Sequence, residues 1–552
     1  MFMLPKSLTP PVLINNFIHG KASFYSNISK ANNVQTSIGD KIEQLSMFNS
    51  IPNVSKINPP LKSNKKDKYL SVKLPKVKEI FGTDIKYQNL ISHHLPPTHP
   101  SPFHDGLIPS SPPQRDNRLS VTSLLTKSWC ELRSAYDIYS QMPRFFTVQL
   151  LSGTKEHSNL ELKSHPIDLK LVEFNHDFNV PKDRILDQWT RTIFRLISMF
   201  QNGEVREIPC FAFIDNMQDN FPIIDNLTSQ DWQKLLNKAT HKDIDNDPTN
   251  QYTMISGIID HLKLNETSKG FPLSQEINLK DPHVDIHDLI NNITSSIQHG
   301  DWEIQVADIK TRQTFKPPIQ TSVVKASKLQ VMYYNKLLSI LGKDPNITYQ
   351  TLMLNAYKRG YDVDKPLDPL KVFSLMLENP FLISDMKRLK NGESIGFPLF
   401  DEFNGNSINK TQVDLTSYYD QLNEAGMDHL LEFCTKWNLP VTPRYLAVRL
   451  SQLYHLVGEI LSKKLIIEYY CRGANFHNIH FDYDDQIFNN QHKNSLEFWF
   501  GKRDIEPFEP TIYNFTTFCN NCDYRDVCSW KKKGEDLCKE LGNTLSGLSS
   551  QH

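Results

Sequence analysis

Ile304-Gln305-Val306-Ala307-Asp308-Ile309-Lys310 decides the fold class. Its alternation is that of a strand, and in a strand positions two apart point the same way. Asp308 and Lys310 therefore share a face. A carboxylate beside an ammonium suits metal-assisted phosphodiester hydrolysis. The acid holds a divalent ion, while the lysine positions or deprotonates water and offsets charge on the phosphorane. Many strands carry D-x-K as an exposed ion pair, so the pair is not diagnostic alone, and a metal site needs a second carboxylate. Gly257-Ile258-Ile259-Asp260 offers one: an apolar strand ending in an acid that a hairpin can set beside Asp308.

Around these two strands the spacing predicts helices over 120–141, from near Pro181, over 327–341 and over 442–468, with β-rich segments at 252–264 and 302–312. Mixed α/β is the resulting class. Gly153-Thr-Lys-Glu-His157-Ser-Asn-Leu-Glu161 places His157 and Glu161 one helical turn apart, where both can reach one metal. Gln330 and Tyr334 are four apart on a helix that also bears Lys325 and Lys328, a set able to contact phosphates and stack on a base. Each feature has a plainer reading: a surface His–Glu pair, an interfacial tyrosine. Their order along one chain is harder to set aside.

The C-terminal segment reads Cys519-Asn-Asn-Cys522-Asp-Tyr-Arg-Asp-Val-Cys528, with Cys538 ten residues on. Three thiolates at this spacing can converge on one soft metal centre, either zinc or an iron–sulfur cluster, and both require a fourth ligand. Cys538 is the local candidate and Cys130 the distant one. Cys210, Cys434 and Cys471 sit singly among apolar neighbours and read as small buried hydrophobes.

The 552 residues exceed one ordinary core, and eight cysteines are too sparse for a disulfide scaffold. Apolar residues make up 39 %, mean hydropathy is −0.46, and no run suffices to cross a bilayer, so no membrane partner is expected. A net charge of −1 leaves any nucleic-acid site to local charge segregation. No G-x4-G-K-[ST] phosphate loop occurs, so no ATP motor is expected. The first acid is Asp40, preceded by Lys6, Lys21 and Lys30 among serines and asparagines, which reads as a mitochondrial presequence over 1–40. A lysine-rich stretch (61–80) and a proline-rich one (95–113) make 41–115 a disordered or extended segment. The folded body is expected over 116–538 as 116–340, 341–510 and a closing segment 511–538, followed by a tail, 539–552.

Taken together, Trp129-Cys130-Glu131, Gly153 with His157 and Glu161, Gly257-Ile-Ile-Asp260, Asp308-Ile-Lys310-Thr-Arg312, Gln330-x3-Tyr334 and Cys519, Cys522 and Cys528 resemble the exonuclease V family, in the RecB-type branch of the PD-(D/E)XK nucleases. The resemblance implies a mixed sheet flanked by helices and closed by a C-terminal iron–sulfur segment. It implies a [4Fe–4S] cluster on Cys130, Cys519, Cys522 and Cys528, which selects Cys130 over Cys538. It also implies Mg2+- or Mn2+-dependent hydrolysis of single-stranded DNA from 5′ ends in the mitochondrial matrix; a monomer is expected. Carried over, Asp260 and Asp308 are metal ligands, Ile309 a carbonyl ligand, Lys310 the catalytic lysine, and His157 and Glu161 auxiliary ligands; Gln330, Tyr334, Arg312, Lys325 and Lys328 contact DNA. Asp308 stands where glutamate is usual, His261 follows Asp260 where a smaller or acidic residue is expected, and residues 265–300 look like an insertion. The competing readings are a nucleic-acid-binding protein without catalysis, stabilised by a zinc or iron–sulfur site, and a zinc-stabilised hydrolase.

Overall fold

Among the described residues six strands form one mixed sheet: β1 (Arg118–Ser120), β2 (Glu204–Asp215), β3 (Tyr252–Glu266), β4 (Trp302–Thr311), β5 (Lys464–Cys471) and β6 (Ala474–Asp482). Helices flank it, and those that matter here are α1 (Glu131–Tyr139), α2 (Val148–Ser164), α3 (Arg184–Asn202), α4 (Ile286–His299), α5 (Thr321–Leu341), α6 (Pro345–Lys358), α7 (Pro443–Glu459) and α8 (Asp485–Trp499). The computed structural model describes Phe103 and the chain from Arg118 to Gly542, with breaks at 127, 129, 140–147, 217–251, 267–270, 408–418, 425–426, 432, 434–436, 504, 509–513, 521, 527, 529, 533, 537–538 and 541. The presequence, the lysine- and proline-rich segments, Trp129, Cys434 and Cys538 lie outside the described residues. No helix among those described is long and apolar enough to cross a membrane.

Mixed α/β is the class observed. β3 pairs antiparallel with β2 and β4, and β4 pairs parallel with β5, which closes on β6 through a hairpin. In that hairpin Arg472 and Gly473 both take positive φ, 53° and 79°, as a two-residue turn of right-handed strands requires. Below the sheet α3 buries one face, Ile185, Leu186, Trp189, Ile193, Leu196 and Phe200. Asp183 accepts from the N–H groups of Ile185 and Leu186, and left-handed Gly203 ends the helix. Gly342 and Gly458 let α5 and α7 cross with backbones touching, since a Cβ on either would fall within 2.5 Å of the other's Cα.

Two expectations are corrected. Residues 120–141 are not one helix: the Ser120 hydroxyl accepts from the Ser123 N–H and caps a single tight turn, Val121–Leu124, and α1 begins only at Glu131. The helix over 442–468 stops at Glu459, and Leu465, Ile466 and Ile467 are buried strand residues instead. A short continuous apolar run has no period by which to separate helix from strand. Part of 265–300 belongs to the core: α4, capped by Asp285, buries Ile286, Leu289 and Ile293. Cys210 and Cys471 are buried on β2 and β5, as their apolar neighbours suggest.

Candidate active site and cysteine pocket

β3 shares its edges unequally. β2 runs along one edge from Tyr252 to Lys263, while the other is divided between β1, opposite Met254 to Ser256, and β4, opposite His261 to Glu266. Gly257 to Asp260 are left unpaired on that edge. Beyond Ala307, β4 pairs with β5 alone, setting Asp308 against Ile467 and Lys310 against Tyr469. Asp260 and Asp308 thus meet where two strands part. The Ile309 N–H donates to Asp260 Oδ2 at 2.8 Å. Asp308 is fully buried, and its Oδ2 is ion-paired with Lys310 Nζ at 2.7 Å. Burial drives Asp308 up to about 7, the Lys310 ammonium opposing and Asp260 adding to the rise. Asp260 is likewise raised by burial. For Lys310 burial acts downward, but Asp308 and Asp260 outweigh it and keep the ammonium charged. Desolvated carboxylates in such a gap favour a cation beside them.

Glu207 is the site residue that the sequence did not reveal. Its neighbours Arg206 and Ile208 pair with His261 and Ile259, while Glu207 leaves the ladder at φ 57°, a conformation that costs a non-glycine residue about 1 kcal/mol or more. Burial, followed by the charges of Asp260 and Glu161, pushes its carboxyl up to about 8. His157, Glu207 and Asp260 each offer a ligand atom, and the three atoms lie within 4.8 Å of one another. His157 reaches this set because α2 lies close on β4: a Cβ at Gly153 would stand 2.9 Å from Thr311 Oγ1. Burial lowers the His157 pKa, which keeps the imidazole neutral and free to ligate. Carboxylates with one imidazole suit a hard divalent ion such as Mg2+ or Mn2+.

A second constellation lies at the C-terminal segment. Cys130, Cys519, Cys522 and Cys528 line one cavity of about 150 Å³, walled by Tyr136, Phe508, Phe518 and Trp530 and bordered by Arg133, Arg525 and Lys531. All four are free thiols. Burial pushes Cys519 and Cys522 up to about 11 and raises Cys130 as well. Side chains tie α1 to this segment. Arg503 grips buried Glu131 through two hydrogen bonds of 2.6 and 2.8 Å, the Glu506 N–H donates to the same carboxylate at 2.8 Å, and the Tyr524 hydroxyl donates to Asp137 at 2.6 Å.

A sequence profile described as exonuclease V, a 5′ deoxyribonuclease, matches residues 112–531. Curated relatives named mitochondrial exonuclease V are 38 % identical over 507 residues in Vanderwaltozyma polyspora (88 % of each chain), 36 % over 517 in Eremothecium gossypii (90 % of this chain, 94 % of that one), and 34 % over 544 in Saccharomyces cerevisiae (91 % and 89 %). The chain belongs to the exonuclease V family. It is therefore a mitochondrial 5′ deoxyribonuclease, a phosphodiester hydrolase whose substrate is DNA.

For this exonuclease V chain the structure redistributes the roles that the sequence suggested. Asp260, Asp308, Lys310 and His157 converge, but Glu161 does not join the three-ligand set. Its carboxylate takes a hydrogen bond from Arg195, which also donates to the Glu207 carbonyl at 2.9 Å and so braces the strained residue. Tyr334 cannot stack on a base, because it is 5 % exposed and its ring fills the space above Gly257, where a Cβ would come within 2.6 Å. Its hydroxyl accepts from Gln330 at 2.8 Å, and Gln330 accepts from Lys310 at 2.9 Å, so the Q-x3-Y pair positions the lysine. Lys328 stands over the Phe481 ring at 5.0 Å, while Lys325 and Arg312 are exposed. His261 bridges buried Glu468 at 2.9 Å and Glu204 at 3.0 Å, and its hydrogen bond helps hold Glu204 down at about 2.

Proposed function

We propose that this exonuclease V hydrolyses single-stranded DNA in the mitochondrial matrix with a divalent ion, Mg2+ or Mn2+, held by Asp260, Asp308 and Glu207 with His157, on a RecB-type PD-(D/E)XK core. The observation that carries the reading is Asp308: a fully buried carboxylate beside a second buried carboxylate, Asp260, with an ammonium 2.7 Å away. A divalent ion there would polarise the phosphoryl oxygen and acidify a bound water. Lys310, fixed by Gln330, orients the attacking water and offsets charge on the phosphorane. Asp260, held by the Ile309 N–H, keeps its remaining oxygen for the cation. Processivity without an ATP motor would come from enclosing the strand.

The four cysteines fit a [4Fe–4S] cluster. None of the four is in a disulfide, all line one cavity with cations around it, and burial makes Cys130, Cys519 and Cys522 hard to ionise without a metal. We assign the cluster a structural role, pinning 511–538 to α1. End-labelled single strands, blocked at the 5′ or the 3′ end and incubated with Mg2+, test the reading. Digestion should require a free 5′ end and vanish in Asp308→Ala and Lys310→Ala; equal digestion by wild type and both variants removes the assignment.

A further inference from the structure

Next to the catalytic lysine the sheet continues as a line of rings. Lys310 pairs in register with Tyr469 of β5, and Tyr469 lies 5.9 Å from the His477 ring and 6.3 Å from the Phe476 ring on edge strand β6. Phe476 in turn makes an edge contact, at 5.7 Å, with Phe315. Phe315 belongs to the segment that leaves β4 just after Lys310, anchored where the Arg312 N–H donates to the Tyr470 carbonyl at 2.8 Å. On this segment, which has neither helix nor strand, the Phe315 ring is 57 % exposed. The exposed cations Arg312 and Lys316 flank it on the same segment. An exposed ring backed by a second, half-buried ring and bordered by cations has the composition of a surface that takes unpaired bases and tracks the phosphates between them.

We propose that Phe315, backed by Phe476, is a stacking platform for an unpaired base of the substrate strand beside the scissile phosphate at Lys310. This rests on the nuclease reading above and deepens it. A base inside a duplex is already stacked and paired, so the platform selects single strands without reading sequence. Arg312 and Lys316 contribute attraction to the flanking phosphates, which falls with salt, whereas the stacking contribution does not.

The test is a binding cycle in the Asp308→Asn background without divalent ion, so that the strand is not consumed. Fluorescence anisotropy compares a labelled oligothymidylate with strands carrying one abasic residue, moved in turn through the nucleotides nearest the 5′ end. Phe315→Ala should weaken binding of the intact strand roughly 5- to 150-fold, the range expected for one base–ring contact. One abasic position should impose a similar loss on the Phe315 protein and none on Phe315→Ala, and Phe315→Trp should restore both affinity and abasic sensitivity. Circular dichroism melts confirm that the exposed substitution leaves the fold intact. The proposal is overturned if Phe315→Ala binds as tightly as its parent, or if every abasic position costs both proteins equally. Binding is read without catalysis, so failure of the nuclease reading would appear separately, as absent digestion by wild type.

Discussion

Asp308 and Cys130 stand in sites held together by opposite means. The carboxylate site is built by main-chain pairing: β3, β4 and β5 run side by side, the gap from Gly257 to Asp260 follows from their register, and the Ile309 N–H fixes Asp260. The cysteine pocket joins segments 389 residues apart (Cys130 to Cys519), and the contacts found there run through side chains: Arg503 to Glu131, Tyr524 to Asp137, and the Tyr136 and Tyr524 rings at 5.0 Å. A site made by strand pairing persists when one of its charged groups is removed, because the backbone still pairs. A pocket closed by side chains depends on each of them.

The sharpest contrast lies in what single substitutions cost. Asp308→Ala and Lys310→Ala should each lower kcat on single-stranded DNA by about a thousandfold or more, since each removes a group that meets charge developing in the transition state. Thermal melting should change far less than activity, because the strand pairing that positions both groups is kept. Cys130→Ser should do the reverse. It should destabilise by up to about 6 kcal/mol on the loop-closure model, as much as Cys519→Ser does, with activity falling only as the folded population falls. Chemical denaturation read beside iron content and initial rates separates the two patterns. If Cys538→Ser equals Cys519→Ser while Cys130→Ser is silent, the long-range closure is wrong.

The same division explains what the sequence disclosed. Asp260, Asp308 and Lys310 were legible because a strand's period of two places residues on a face without knowledge of the rest of the fold. Glu207 was not, for two reasons. The apolar run Ile208 to Ile214 lacks the alternation that marks a half-buried strand, being buried on both faces, and the φ of 57° that turns Glu207 inward leaves no trace in residue type. Tyr334 was legible as a partner of the site but not as a buried one, since the clue lies in Gly257, a residue 77 positions away. The parallel pairing of β4 with β5, which holds Asp308 and Lys310 in place, joins residues more than 150 apart, and no local pattern announces it.

Glu207 offers a gentler test through pH. Its carboxyl is raised from 4.5 to about 8, so between those values the folded state holds a proton that the unfolded state has released. The stability this proton contributes is present in full below pH about 4.5 and is lost as pH rises through about 8. In metal-free buffer the melting temperature of the wild type should therefore fall toward alkaline pH relative to Glu207→Gln, which cannot ionise. Added Mg2+ should reverse the order above pH about 8, because the ionised carboxylate then has a cation to hold. Parallel melting curves for the two proteins across this range, with and without Mg2+, would remove Glu207 from the ligand set.

The smallest effect probes how far pairing alone fixes the lysine. Tyr334→Phe removes only the hydroxyl that accepts from Gln330, leaving the ring over Gly257 and the packing unchanged. Gln330 then has one partner fewer while it holds Lys310 Nζ. One hydrogen bond of this kind contributes about 1 kcal/mol, which corresponds to roughly a fivefold loss in kcat with KM little changed. A positioning role predicts more than a small loss: in the Lys310→Ala background the same substitution should have no further effect, because nothing remains to be positioned. Full additivity of the two substitutions would show that Tyr334 acts through packing and that β4 fixes the lysine without help from α5.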